Sequence, residues 1–296
     1  MTETQQALPS LSFEFFPPHT PEGAQRLWRS VERLAPLTPS FVSVTYGAGG
    51  TTRERTRNAI QAIKERARLN VAGHLTCVGA TREETLEVAR GYARLGVRRI
   101  VALRGDPPKG EGAFTPHPEG FASSVELIEA LRGIGGFEIA VGAYPERHPE
   151  AGSMQDDVDH LKRKVDAGAS LAITQFFFEN EDFLRFRDAC AAAGIAVPVV
   201  PGILPIENFQ KMTSFAARCQ ARVPDWMHVA YAEVVEEDAA RELSVALALR
   251  QMRALIAEGV EHLHIYTLNN PDLSFEICEG LGYRPTPAAV AQGGAA

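Results

Sequence analysis

A carboxylate set among phenylalanines stands near the start of the chain: Glu14 in Ser12-Phe13-Glu14-Phe15-Phe16. Burial among aromatic rings penalises ionisation, so this setting predicts a raised pKa and a candidate general acid near neutral pH. A Glu facing solvent at a strand edge, or paired with an Arg, is the plainer alternative. In Arg104-Gly105-Asp106 a glycine between opposite charges would let the backbone approach a ligand closely. Taken alone, a turn with a local ion pair explains it as well. Gly47-Ala48-Gly49-Gly50 could cradle a phosphate or a flat ring, or form a tight turn. Asp157, His160, Arg163 and Lys164 fall at i, i+3, i+6 and i+7, on one helix face. Such a face suits a pyrophosphate, or else is a solvated, ion-paired surface.

These residues lie in a chain that alternates between strand and helix. Short apolar or β-branched runs occur at Leu11–Phe16, Phe41–Tyr46, Val71–Cys77, Arg99–Arg104, Glu138–Tyr144, Leu171–Phe178, Val197–Leu204 and His262–Leu268. Each is followed by helical spacing. Thr81 and Glu84 predict a capping box, with Gly96 closing that helix. A long helix over Glu236–Glu258 precedes the last strand, and a final one lies near Ser274–Leu281. Eight nearly continuous apolar strands predict a buried parallel sheet. The reading is a single α/β domain, a (β/α)8 TIM barrel over residues 11–284 with an extra helix before the last strand. An open doubly wound sheet is the alternative. Residues 1–10 read as an N-terminal tail, and Pro285–Ala296, rich in Ala, Gly and Pro, as a disordered C-terminal one. In a barrel the chemistry gathers where strands end, which directs attention to Glu14, Thr45, Tyr46, His74, Thr76, Arg104, Asp106, Tyr144, His148, Thr174, Gln175 and Tyr266–Asn270.

Composition excludes several classes. The 296 residues carry 30 Lys and Arg against 37 Asp and Glu, a formal net charge of −7, which argues against nucleic acid as the main partner. The longest charge-free stretch, Ala189 to Ile206, holds three prolines and two glycines and cannot be a membrane helix. No basic-then-apolar leader opens the chain. Four scattered cysteines form no CxxC pair, as suits a reducing cytoplasm, and predict no metal site. No G-x-G-x-x-G follows a strand, and none of the five lysines precedes Ser or Thr. A Rossmann domain and a P-loop therefore lack support.

Several unusual strings occur together and in order: SFEFFPP (12–18), FVSVTYG (41–47), HLTC (74–77), VALRGD (101–106), AYPERHPE (143–150), LKRKVDAGA (161–169), ITQFFF (173–178), PGILP (201–205) and YTLN (266–269). In these the chain resembles the bacterial methylenetetrahydrofolate reductases, from about Ser12 to Pro285. The resemblance implies a barrel with tightly bound, non-covalent FAD. It implies that hydride passes from NADH or NADPH to the flavin and then to 5,10-methylenetetrahydrofolate, giving 5-methyltetrahydrofolate by a ping-pong scheme in one-carbon and methionine metabolism. It also implies a cytoplasmic homo-oligomer. The motifs cannot decide between NADH and NADPH.

Residue by residue, the resemblance makes Glu14 the acid that protonates the folate and Asp106 the acidic residue at the flavin's pyrimidine edge, also touching the pterin. Gln175 becomes a pterin partner, and Phe215 an aromatic packing on folate or nicotinamide. Thr45, Tyr46, Ala48, His74, Arg104, Gly105, Tyr144, His148, Ala151, Asp157, His160, Arg163 and Lys164 match positions around FAD. Three residues depart from the pattern. Asn270 replaces an Arg that contacts the folate tail, Lys211 stands where Gln is frequent and becomes a candidate for the folate glutamate, and His160 stands where Asn is common. Two other functions fit the residues: a different FAD barrel resembling proline dehydrogenase, and a non-catalytic folate- or flavin-binding subunit.

Overall fold

The computed structural model describes residues 7–46, 53–106 and 114–286. Eight parallel strands close into a barrel in chain order. They are β1 Ser10–Phe15, β2 Phe41–Val44, β3 Val71–Thr76, β4 Arg99–Leu103, β5 Glu138–Ala143, β6 Leu171–Phe176, β7 Val199–Ile203 and β8 His262–Tyr266. Helices wrap the outside: α1 Pro21–Leu34, α2 Arg53–Ala67, α3 Arg82–Arg94, α4 Ser124–Ile134, α5 Met154–Ala167, α6 Asn180–Ala192, α7 Phe209–Cys219, α8 Asp225–Ala232, α9 Glu237–Ala257 and α10 Pro271–Leu281.

The period of two along each strand sorts side chains between two cores. On β1, Leu11, Phe13 and Phe15 are buried outward, in one cluster with Leu27, Val31 and Leu34 of α1. Inside the barrel, Phe41, Ala72, Val101, Ala140 and Ile173, from β2 to β6, form a separate cluster with Leu103 and Leu171. The intervening β1 residues are polar, and register decides what they meet: Ser10, Ser12 and Glu14 lie opposite His262, His264 and Tyr266 of β8.

Local signals set the helix ends. The Thr81–Glu84 capping box is present on α3, and Gly96 follows at φ +71°. Ser153 caps α5 by accepting from the Asp156 N–H, and Gly168 ends it at φ +127°. A cap of this kind contributes about 1 kcal/mol.

The expected single extra helix before β8 is corrected to two, since both α8 and α9 lie between α7 and β8. Helix α8 is short, Pro224 at its N-cap makes no side-chain bond, and Val229 is 59% exposed, so periodicity gives it little away. Helix α10 begins at Pro271, earlier than Ser274, because proline suits a first turn. The N-terminal boundary also shifts: Ser10 is already in β1, and Pro9 O accepts from the Tyr283 hydroxyl at 2.5 Å. At the other end the Thr286 N–H donates to Pro36 O at 2.7 Å, and residues 287–296 of the expected tail lie outside the described residues. Among the described residues no helix is long and apolar enough to cross a membrane.

Candidate active site

Glu14 lies on the inner face of β1, and its surroundings differ from the sequence expectation. Phe13 and Phe15 point the other way, into the helix layer, and Phe16 is 37% exposed. The carboxylate instead faces two imidazoles. His74 Nε2 of β3 lies 3.3 Å from Glu14 Oε2, and His264 Nε2 of β8 lies 3.7 Å from the same oxygen. Both Nε2 atoms are buried and bond to nothing else. Burial raises the Glu14 pKa, as the sequence argument held. The hydrogen-bonding and electrostatic pull of His264 and His74 outweighs it and brings the value down to about 2. Glu14 is therefore ionised at rest, which corrects the expected raised pKa.

Tyr266, beside Glu14 in the register, donates its hydroxyl to Thr174 O at 2.6 Å. Gly202 allows this closeness, because a Cβ there would meet Thr174 O at 2.3 Å and the Tyr266 ring at 2.5 Å.

The rim carries the charges. Arg104, at the end of β4, forks onto Glu150, with Nη2 3.0 Å from Oε1. A pair with Asp106 inside the turn is thus not what the structure builds. Gly105 turns at φ +88°, and a Cβ there would lie 2.7 Å from Val78 Cγ1. Asp106 is exposed. The β5 loop adds Tyr144 and His148, edge to face at 4.6 Å. It is held by Asp157, whose carboxylate accepts the His148 N–H at 2.8 Å, and by the Ala151 N–H on His148 O at 2.9 Å. Thr45 and Tyr46 follow β2, with the Thr45 N–H on Phe15 O at 3.0 Å. Burial raises the Tyr46 pKa against the lowering effect of Arg53. Ala48 and its glycine-rich neighbours lie outside the described residues.

The α5 face is real and unusually cationic. Lys164 is buried and donates to Gly142 O at 2.9 Å. Burial draws its pKa down to about 8; Arg104 and Arg163 add to this, while Asp157 opposes it. His160 is drawn down to about 4 by burial and then by Lys164, Arg163, His148 and Arg104, and its Nδ1 accepts from Arg163 Nη2 at 3.1 Å. Lys164 is thus a buried cation with two arginines and His160 near it, a donor set whose chemistry suits a phosphate group, and the solvated-face alternative does not describe it.

Gln175 lines a small cleft with Tyr144, Phe176 and Cys219, and Phe215 stacks on Phe176 at 5.5 Å. Lys211 precedes Phe215 by one turn of α7, and both it and Asn270 act on Glu207, whose pKa burial raises. Sequence reasoning missed His264 and Ser12 as parts of the site. Their signal was present in the alternation Ser10/Ser12/Glu14 and His262/His264/Tyr266.

A model described as methylenetetrahydrofolate reductase matches residues 2–282. The chain belongs to the methylenetetrahydrofolate reductase family. It is an enzyme, an oxidoreductase. It is 50% identical over 277 residues to the 5,10-methylenetetrahydrofolate reductase of Salmonella typhimurium, covering 93% of this chain and 92% of that one. The Escherichia coli reductase is 49% identical with the same coverage. The chain is 34% identical to a maize methylenetetrahydrofolate reductase (NADH), but the match takes in only 48% of that longer protein. Among solved structures, a Clostridium thermocellum protein described as binding two copies of 5-methyl-5,6,7,8-tetrahydrofolic acid superimposes with a TM-score of 0.59 at 14% identity. It covers 92% of this chain and 94% of its own. At that identity the likeness shows the shared barrel alone.

Proposed function

We propose that this chain reduces 5,10-methylenetetrahydrofolate to 5-methyltetrahydrofolate, with FAD as its bound cofactor and NADH or NADPH as reductant. The observation that carries the reading is a juxtaposition. An interior carboxylate, Glu14, opens onto a barrel mouth whose wall holds the cations Arg104, Arg163 and a buried Lys164. When bound, FAD would accept a hydride from the nicotinamide and pass it to the folate, the two substrates using one face in turn.

The α5 cations and His160 would hold the pyrophosphate. Asp157 fixes the loop bearing His148 and Ala151, while Tyr144, Thr45, Tyr46, His74 and Gly105 would line the cofactor's place; Ala48, outside the described residues, is carried as a further candidate from the resemblance alone. Asp106 would meet the pyrimidine edge and the pterin. Gln175 would hydrogen-bond the pterin, and Phe215 would pack on whichever flat substrate is present. Lys211 and Asn270 would take the folate tail. Glu14 would protonate the bridging amine of the folate so that its five-membered ring opens to the hydride-accepting iminium. Because Glu14 is ionised at rest, it must gain a proton before each folate turnover.

The test is product formation. Purified protein with FAD, NADH or NADPH and methylenetetrahydrofolate should yield 5-methyltetrahydrofolate by chromatography. Oxidation of the nicotinamide without that product would overturn the reading in favour of a different FAD barrel. Folate binding without turnover would point to a binding subunit.

A further inference from the structure

The interior of a parallel barrel is ordinarily filled with branched apolar side chains. Here a column of polar groups runs through it along the β1–β8 seam. Ser10 Oγ is 2.8 Å from His262 Nδ1, His262 Nε2 is 2.8 Å from Ser12 Oγ, and Ser12 Oγ is 2.7 Å from His264 Nδ1. His264 Nε2 then faces Glu14 Oε2 at 3.7 Å. Ser12 and His264 are 0% exposed, whereas Ser10, at the N-terminal end of β1, is exposed and His262 half-buried. The column joins solvent at the closed end of the barrel to the carboxylate at its mouth.

We propose that Ser10, His262, Ser12 and His264 form a proton path that reloads Glu14 from the end of the barrel opposite the substrates. The inference rests on the reading that Glu14 protonates the folate. Reduction of methylenetetrahydrofolate adds one hydride and one proton, so each turnover draws one proton from solvent. The reactants stacked over the mouth would cover Glu14 from that side, whereas the seam is open from below.

Two directions satisfy these bonds. In the loaded one Ser10 donates to His262 Nδ1, His262 Nε2 donates to Ser12, Ser12 donates to His264 Nδ1, and His264 Nε2–H points at Glu14; in the reverse one, which is the column after delivery, Ser10 donates to Glu261 O at 3.2 Å. On reloading, the His264 Nε2 proton crosses to Glu14 Oε2 as the carboxylate swings across the 3.7 Å gap. The Ser12 proton moves to His264 Nδ1, the His262 Nε2 proton to Ser12, and the Ser10 proton to His262 Nδ1. Ser10 takes a proton from water. One proton enters, one leaves on the folate, and no heavy-atom bond changes. Hydroxyl rotation and imidazole tautomer exchange reset the column.

The groups around the path favour neutral imidazole at its entrance. His262 is drawn down to about 4 by burial, by His264 and by Arg99, and Arg99 is itself paired with Glu138 and placed over the Phe41 ring. Phe41 lies against both imidazoles, 5.7 Å from His262 and 6.1 Å from His264, leaving the serines as their bridges. A neutral imidazole with one donor and one acceptor nitrogen can pass a proton on without storing a charge.

Two variants test the path. Ser12→Ala cuts it in the buried middle, and His262→Gly opens it at the partly exposed entrance. Stopped flow at saturating folate reads the folate half-reaction in H₂O and D₂O, and ¹⁵N shifts read the His264 tautomer. The path predicts that both variants slow this step by at least roughly tenfold, with the 10²–10⁴-fold contribution of general acid catalysis as the ceiling. It predicts a solvent isotope effect larger than the parent's, a changed His264 tautomer in Ser12→Ala, and recovery of His262→Gly with added imidazole. Reduction of the flavin by NADH or NADPH, which takes no proton from this column, serves as the internal control. Parental rates and isotope effects in folded variants, or a slowed His262→Gly that imidazole does not restore, would overturn the path and leave delivery from the mouth or through His74. A parent enzyme that never reduces the folate would remove the acid chemistry itself, an outcome distinct from loss of the path.

Discussion

Glu14 shows how far a residue's type and its surroundings can diverge in what they reveal. The carboxylate in a strand of phenylalanines was visible, and so was its candidacy as an acid. Its environment was not, because strand alternation turns Phe13 and Phe15 to the outer core and brings in His264, 250 positions away. Glu14→Gln should leave reduction by the nicotinamide largely intact and slow the folate half-reaction by roughly 10²–10⁴-fold, because Gln has no proton to give. Equal slowing of both half-reactions would reduce Glu14 to a shaping role. The depressed pKa carries a second consequence. A carboxyl moved from 4.5 to about 2 on folding contributes stability that is present above 4.5 and is lost as pH falls from there toward 2. The gap in urea midpoint between parent and Glu14→Gln should therefore be constant above pH 4.5 and shrink below it. A gap independent of pH across that window would mean that the imidazoles do not hold the ionised form.

At the scale of elements, the α5 face was legible as a pattern of spacing, but its burial was not. Spacing puts Asp157, His160, Arg163 and Lys164 on one side of the helix. Only the packing of α5 beside β5 places Lys164 under the barrel rim, bonded to Gly142 O. Charge-assisted bonds contribute about 1.5–3 kcal/mol each. Arg163→Ala with Lys164→Ala should therefore weaken FAD retention by at least about 100-fold, read as flavin released on dialysis. Retention equal to the parent's would place the pyrophosphate elsewhere. The capping box of α3 was readable because capping is local in sequence. Helix α8 was not, having neither a side-chain cap nor a clean apolar stripe. The close approach of β6, β7 and β8 at Gly202 is equally invisible in one dimension. Gly202→Ala would drive a methyl group into Thr174 O and the Tyr266 ring, and overpacking of this kind costs about 1–3 kcal/mol. Chemical denaturation should show that loss. An unchanged midpoint would mean that the seam is looser than its distances indicate.

For the whole molecule, the barrel itself was the most legible feature: eight buried parallel strands separated by capped helices leave few other ways to cover both faces of the sheet. Closure then does what no single strand can. It sets β1 against β8, so that Glu14 shares an interior with histidines from β3 and β8. It also gathers rim residues such as Arg104 and His148 at one mouth, where the proposed function has two flat substrates use the same surface in turn. That sharing is the central claim, and the visible spectrum of the purified protein under nitrogen tests it most directly. The account predicts a yellow protein with flavin bands that bleach on adding NADH or NADPH alone and return on adding methylenetetrahydrofolate, with no ternary complex needed for either change. A colourless protein that does not take up FAD, or a flavin that NADH or NADPH bleaches and methylenetetrahydrofolate fails to recolour, would contradict it.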